Sequence, residues 1–170
     1  TRPPHGCNML AAATNAPNLQ IAVFHINSRF ARKEFVYRDG NTFESDYYNT
    51  FFISPAEMIT AEATDWLKRA RPCKVSISPF SRIDPDYMLE GDISELYADL
   101  GAETPAAVMT LSLYIARELP EGPRVVFSKR YHRRIALDEF SPEMLVSAWS
   151  RALEEILHEF GQDLEKALPK

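Results

Sequence analysis

At 170 residues and 19.4 kDa the chain is the size of one domain and buries about 70% of its unfolded surface, so neither metal nor disulfide staples are required. Hydrophobic residues at 45% and charged residues at 25% exclude a disordered chain, a coiled coil and a collagen-like fibre. A net charge of -5 has the wrong sign for a general nucleic-acid binder, and six glycines without a phosphate-binding pattern argue against the common nucleotide enzymes.

Residues 1–18 mix Pro, Ala, Asn and Thr without any period and read as a tether ahead of a single domain over 19–168. Cys7 lies in this arm and Cys73 opens a β-like run, and two thiols alone leave their pairing open. Leu19 to Ile26 is apolar and β-branched, a first strand. A basic loop with Arg29, Arg32 and Lys33 follows. Phe35 to Arg38, a turn at Asp39-Gly40, and Thr42 to Phe52 then read as a hairpin, because glycine accepts the positive φ of a tight turn.

Ser54-Pro55-Ala56-Glu57 is a helix start: Ser54 caps, Pro55 fits the first helical position and Glu57 completes a capping box. Ile59, Ala63, Trp66, Leu67 and Ala70 share one face of that helix, and Pro72 stops it. Lys74 to Ser78, Tyr87 to Tyr97, Val108 to Ala116 and Arg124 to Leu137 are four further strands, with a loop over Ala98 to Pro105. Ser141-Pro142-Glu143 starts a second helix. Its stripe runs through Leu145, Ala148, Trp149, Ala152, Leu153, Ile156, Leu157, Phe160 and Leu164. The order β-β-β-α-β-β-β-β-α predicts an α+β domain, a mostly antiparallel sheet with both helices on one face.

Chemistry-bearing patterns are few. His5, His25, His132 and His158 are scattered, without the spacing of metal ligands, so no metal is expected, and no nucleotide or other cofactor. No nucleophile elbow occurs. Glu90 with Asp92, and Asp39, Glu44 and Asp46, read as solvated carboxylates rather than an acid–base pair, so no catalytic residue is expected. Lys129, Arg130, His132, Arg133 and Arg134 alternate between strand faces. They read either as an edge strand guarded by charge or as a dock for an acidic partner or anionic head groups. Phe35, Tyr37, Phe43, Tyr47, Tyr48, Phe51 and Phe52 crowd one hairpin, more aromatic surface than one sheet face buries. Strand geometry sends Tyr47 and Tyr48 to opposite faces, which predicts one exposed and one buried under the first helix.

The segments FVYRDGNTFESDYYNTFFISPAEMITAEATDWL, DYMLEGDISELYADL, VVFSKRYHRRIAL and SPEMLVSAWSRALEEIL, in this order over residues 19–165, closely resemble the ABC-type transport auxiliary lipoprotein family. This is the PqiC-like group, also filed as a domain of unknown function. Its most specific pieces here are Tyr37-Arg38, Asp46-x-Tyr48 ahead of the Pro55 helix, and Glu90-Gly91.

The resemblance implies a non-catalytic periplasmic lipoprotein tethered to the outer membrane of a Gram-negative bacterium. Such a protein acts beside an ABC ATPase, a permease and an MCE-domain protein in lipid movement between membranes. Cys7 departs from the lipidated pattern, since Pro4-His5-Gly6 precede it where an apolar residue belongs. The expected lipid anchor therefore lies upstream of Thr1, unless it is absent. The residues expected to face a partner, the MCE-domain protein or the permease–ATPase complex, are Tyr37, Arg38, Tyr47, Tyr48, Arg130 and Arg134. The alternative is a carrier holding an acyl chain between sheet and helices, which requires a cavity of several hundred Å³. Trp149, Leu153 and Phe160 look like dense core instead.

Overall fold

A computed structural model describes residues 17–70, 74–76 and 82–167. The elements are β1 (Asn18–Ile21), β2 (His25–Ile26), a 3-10 turn (Ser28–Phe30), β3 (Glu34–Asp39), β4 (Thr42–Thr50), α1 (Pro55–Ala70), β5 (Lys74–Ser76), β6 (Tyr87–Asp99), β7 (Ala106–Arg117), β8 (Arg124–Ala136) and α2 (Pro142–Ala167). The α+β class and the element order agree with expectation. Of the N-terminal arm, residues 1–16 lie outside the described residues, and Asn18 already belongs to β1. Cys7 and Cys73 also lie outside them, so their pairing is not addressed.

Strand β6 organises the sheet. On one side it pairs antiparallel with β7 from Tyr87↔Arg117 to Asp99↔Ala106, and β7 pairs antiparallel with β8. Along its other edge β1, β2 and β3 follow one another, all parallel to it, opposite Tyr87 to Leu89, Asp92 to Ile93 and Ala98 to Asp99. β5 adds to β1 and β4 to β3. The long ladders are antiparallel and the parallel pairings short.

The expected first strand is broken. Between β1 and β2 the chain tucks Phe24 into the core, where its amide donates to Thr60 Oγ1 of α1 at 2.9 Å. The ring lies so close to β6 that a Cβ at Gly91 would stand 2.6 Å from its Cγ. That close approach gives the Glu90-Gly91 dipeptide a packing reason. The loop expected from Ala98 is shorter, because β6 continues through Asp99 to meet the start of β7.

Both helices start as their cap chemistry dictates. Ser54 Oγ accepts from the Glu57 amide at 3.3 Å, and Ser141 Oγ from the Met144 amide at 3.2 Å. They lie on one face of the sheet. The buried residues of α2 are the nine of its predicted stripe, Leu145 through Leu164. They pack with Ile59, Ala63 and Leu67 of α1 onto Leu89, Ile93, Leu111, Leu113, Ile115 and Tyr131.

Candidate functional site

The β3–β4 hairpin is not a regular ribbon. Glu34 pairs with Thr50 but Val36 pairs with Ser45, so two steps on β3 face five on β4, and β4 carries three extra residues. Asp46 shapes the resulting bulge. Its carboxylate accepts the amides of Tyr48 (2.8 Å) and Asn49 (3.1 Å), the Asn49 side-chain amide (2.6 Å) and the Tyr37 hydroxyl. The Tyr37 bond, foremost, holds the Asp46 pKa down at about 2 despite some desolvation. Burial, and then the same bond, raise Tyr37, so it stays a donor.

This bulge overturns the expectation for Tyr47 and Tyr48. Period-2 alternation requires a regular strand, and the three extra residues end it. Both tyrosines stand in solvent, 86% and 90% exposed, with their rings edge to face at 5.6 Å. Phe52, 93% exposed, stands just beyond, after Phe51 has turned into the core. Three large aromatic side chains thus stand bare within six residues of sequence.

The other expected partner-facing residues fall elsewhere. Tyr37 points to the helix side, edge to face with Phe140 at 5.4 Å, and serves as a strut for Asp46. Arg38 points to the opposite side of the sheet. Its guanidinium lies 4.9 Å from the centre of the Tyr97 ring and bonds Asp99 at 3.0 Å. Arg134 reaches the same Asp99 oxygen at 2.6 Å. Burial pushes the Asp99 carboxyl up, but these two arginines outweigh it and leave the pKa lowered. Arg130 is 3.9 Å from Glu95, which lies 3.5 Å from His132. The basic strand is therefore split as expected. Arg130, His132 and Arg134 lie on the face opposite the helices, while Lys129 and Arg133 on the helix face are tied to Glu159, Glu155 and Asp163 of α2. Thus Arg38 and Arg134 come together on Asp99, and Tyr47 and Tyr48 come together on the bulge.

A second feature was not expected: Trp149 and Leu153 are buried in the core as expected, yet they also line an open space. Between α1 and α2 runs a cleft of about 400 Å³. Met58, Ile59 and Trp66 form one wall, and Val146, Trp149, Leu153 and Leu157 the other. Leu96 and Met109 of the sheet make the floor, and Phe51 stands beside Trp149, ring centres 5.5 Å apart. Phe160, fully buried, is core as expected. The Trp66 ring sits directly on α2, where a Cβ at Gly161 would stand 2.7 Å from it. Sequence reasoning placed Trp66 and Trp149 on apolar stripes but had no means of finding the gap between them. Arg69 at the end of α1 also lines the cleft.

Among the described residues no three His, Cys, Asp or Glu are grouped to hold a metal ion, and no helix is long and apolar enough to cross a membrane.

No family model and no curated protein matches the sequence. Solved structures do match in fold. Protein XCC0632 of Xanthomonas campestris, of family DUF330, superposes with a TM-score of 0.71 at 16% identity, over 85% of this chain and 81% of its own. An uncharacterised protein gives 0.67 at 8% identity over 88% and 90%, and the hypothetical protein CT253 of Chlamydia trachomatis 0.57 at 9% over 86% and 96%. The chain thus shares the fold of XCC0632, a DUF330 protein.

Proposed function

We propose that the chain is a non-catalytic accessory component of an MCE-type ABC transport system in the bacterial periplasm, held at the outer membrane, and that it works by docking to a transporter component through the β4 bulge. The observation that carries the reading is the tip itself. Tyr47, Tyr48 and Phe52 stand bare in water beside a bulge that Asp46 holds by hydrogen bonds, one of them from Tyr37, whose ring packs against the core. The same segment carries the family resemblance, and the DUF330 likeness supports the fold that goes with it. Aromatic side chains with few rotatable bonds are the usual anchors of protein interfaces. Arg38 and Arg134, pinned on Asp99, stiffen the sheet behind the hairpin.

The test is a titration against the MCE-domain partner. Tyr48→Ala leaves folding within ~0.5 kcal/mol, because the ring touches little but Tyr47. It weakens partner binding by about tenfold or more if the ring is an anchor. Unchanged affinity in both Tyr47→Ala and Tyr48→Ala would remove the bulge from the interface.

A further inference from the structure

The α1–α2 cleft and the β4 bulge are separate features, and the cleft has its own chemistry. We propose that the cleft is a binding site for a single-chain amphiphile, one acyl chain bearing an anionic head, with the chain against Trp66 and Trp149 and the head at Arg69.

Size selects the class. A volume of about 400 Å³ falls within the range of small-molecule sites, ~300–1,000 Å³. A flexible hydrocarbon chain suits a space of this size and apolar lining. The lining is apolar along both helices, with methionine on the wall and on the floor, at Met58 and Met109, and unbranched thioethers adapt to a chain of variable bend.

Charge selects the head. Arg69 is the one cation lining the cleft, and among the described residues no ion pair or hydrogen bond engages it. Its fork-shaped guanidinium suits a carboxylate or a phosphate. Glu62 and Glu154 also line the cleft. They disfavour an anion near themselves, which restricts the head to the neighbourhood of Arg69.

The chain's two tryptophans, Trp66 and Trp149, both line this cleft, so intrinsic fluorescence reads its occupancy directly. The experiment titrates the whole chain, free of detergent, with oleate, with lysophosphatidylglycerol, with the uncharged oleyl alcohol and with vesicles of diacyl phosphatidylglycerol. The expected result is a blue shift saturating at one oleate or one lysophospholipid per chain, the tighter of the two naming the head group. Oleyl alcohol binds about tenfold more weakly than oleate, and Arg69→Gln abolishes that difference. Ser150→Phe, a bulky side chain at an exposed position on the lip, removes the shift while the far-UV spectrum shows a folded protein. The proposal is overturned by the absence of any shift with single-chain ligands, or by a shift that survives Ser150→Phe. It is equally overturned by an oleate-to-alcohol ratio that Arg69→Gln leaves unchanged, or by a response to vesicles alone. None of these outcomes bears on the affinity of the Tyr48→Ala variant for its partner, so the two readings fail separately.

Discussion

Asp46 is where one side chain sets the geometry of a surface. Four donors converge on its two oxygens, and the reward is a tight turn that throws Tyr47 and Tyr48 outward. Asp46→Ala is expected to lower stability by about 1 kcal/mol, the scale of losing a carboxylate that caps backbone amides. It is also expected to reduce affinity for the partner although both tyrosines remain. Thermal denaturation and the same titration check the two halves, and Asp46→Asn, which keeps acceptor oxygen but no charge, should recover part of each. A variant that loses stability without losing affinity would reduce Asp46 to a structural residue.

At the scale of elements, α2 is clamped to β8 by charge as well as by its stripe. Lys129 bonds Asp163 (2.6 Å) and Glu159 (2.9 Å), Arg133 bonds Glu159, and the Tyr131 hydroxyl donates to Asp163 at 2.9 Å. The hydrogen bond from Lys129 leads in lowering both carboxyls, and in turn raises Lys129. A carboxyl with a lowered native pKa binds fewer protons folded than unfolded, so its stabilisation is complete above the unfolded value and fades as pH falls through the native one. With Asp46 and Asp99 also lowered, the melting temperature should decline from about pH 5 downward. Glu159→Gln should flatten that decline, and a slope that it leaves unaltered would show the clamp to be idle. The apolar part of the same element makes a second contrast. Leu111→Ala, at a fully buried site, should cost ~2–5 kcal/mol. Leu153→Ala should fall at or below the lower end, because Leu153 already borders an open cleft and leaves a smaller void. Urea denaturation of the two variants measures the difference.

Across the whole molecule, the features legible in sequence are those ruled by short-range periodicity. The stripe of α2 was readable residue by residue because a 3.6-residue repeat needs no knowledge of what it packs against. The alternation of Leu89, Gly91 and Ile93, and the splitting of Arg130 and Arg134 from Lys129 and Arg133, followed from period 2 in the same way. What escaped depends on pairings between distant residues. The break at Phe24 is set by Gly91 and Thr60, far along the chain. The β4 bulge is a mismatch between two strands, invisible in either alone. The cleft exists only because α1 and α2 are held apart, which neither helix encodes by itself. Tyr47 and Tyr48 stand out in the sequence by aromatic density, whereas Asp46, which holds the bulge that carries them, reads there as one more solvated carboxylate.

The three surplus residues of β4 have a further implication for how such a protein diversifies. Excising Asp46, Tyr47 and Tyr48 would leave Ser45, Asn49 and Thr50 to face Val36, Phe35 and Glu34 in unbroken order, so the tip is an insertion in an otherwise complete ribbon. A chain shortened by those three residues should keep its far-UV spectrum and lose no more than ~2–4 °C of melting temperature, the equivalent of about 1 kcal/mol at this size. The sheet and helices answer to the core, while the length and lettering of one small insert can change at a cost of about 1 kcal/mol, small beside the ~5–15 kcal/mol that holds a domain folded.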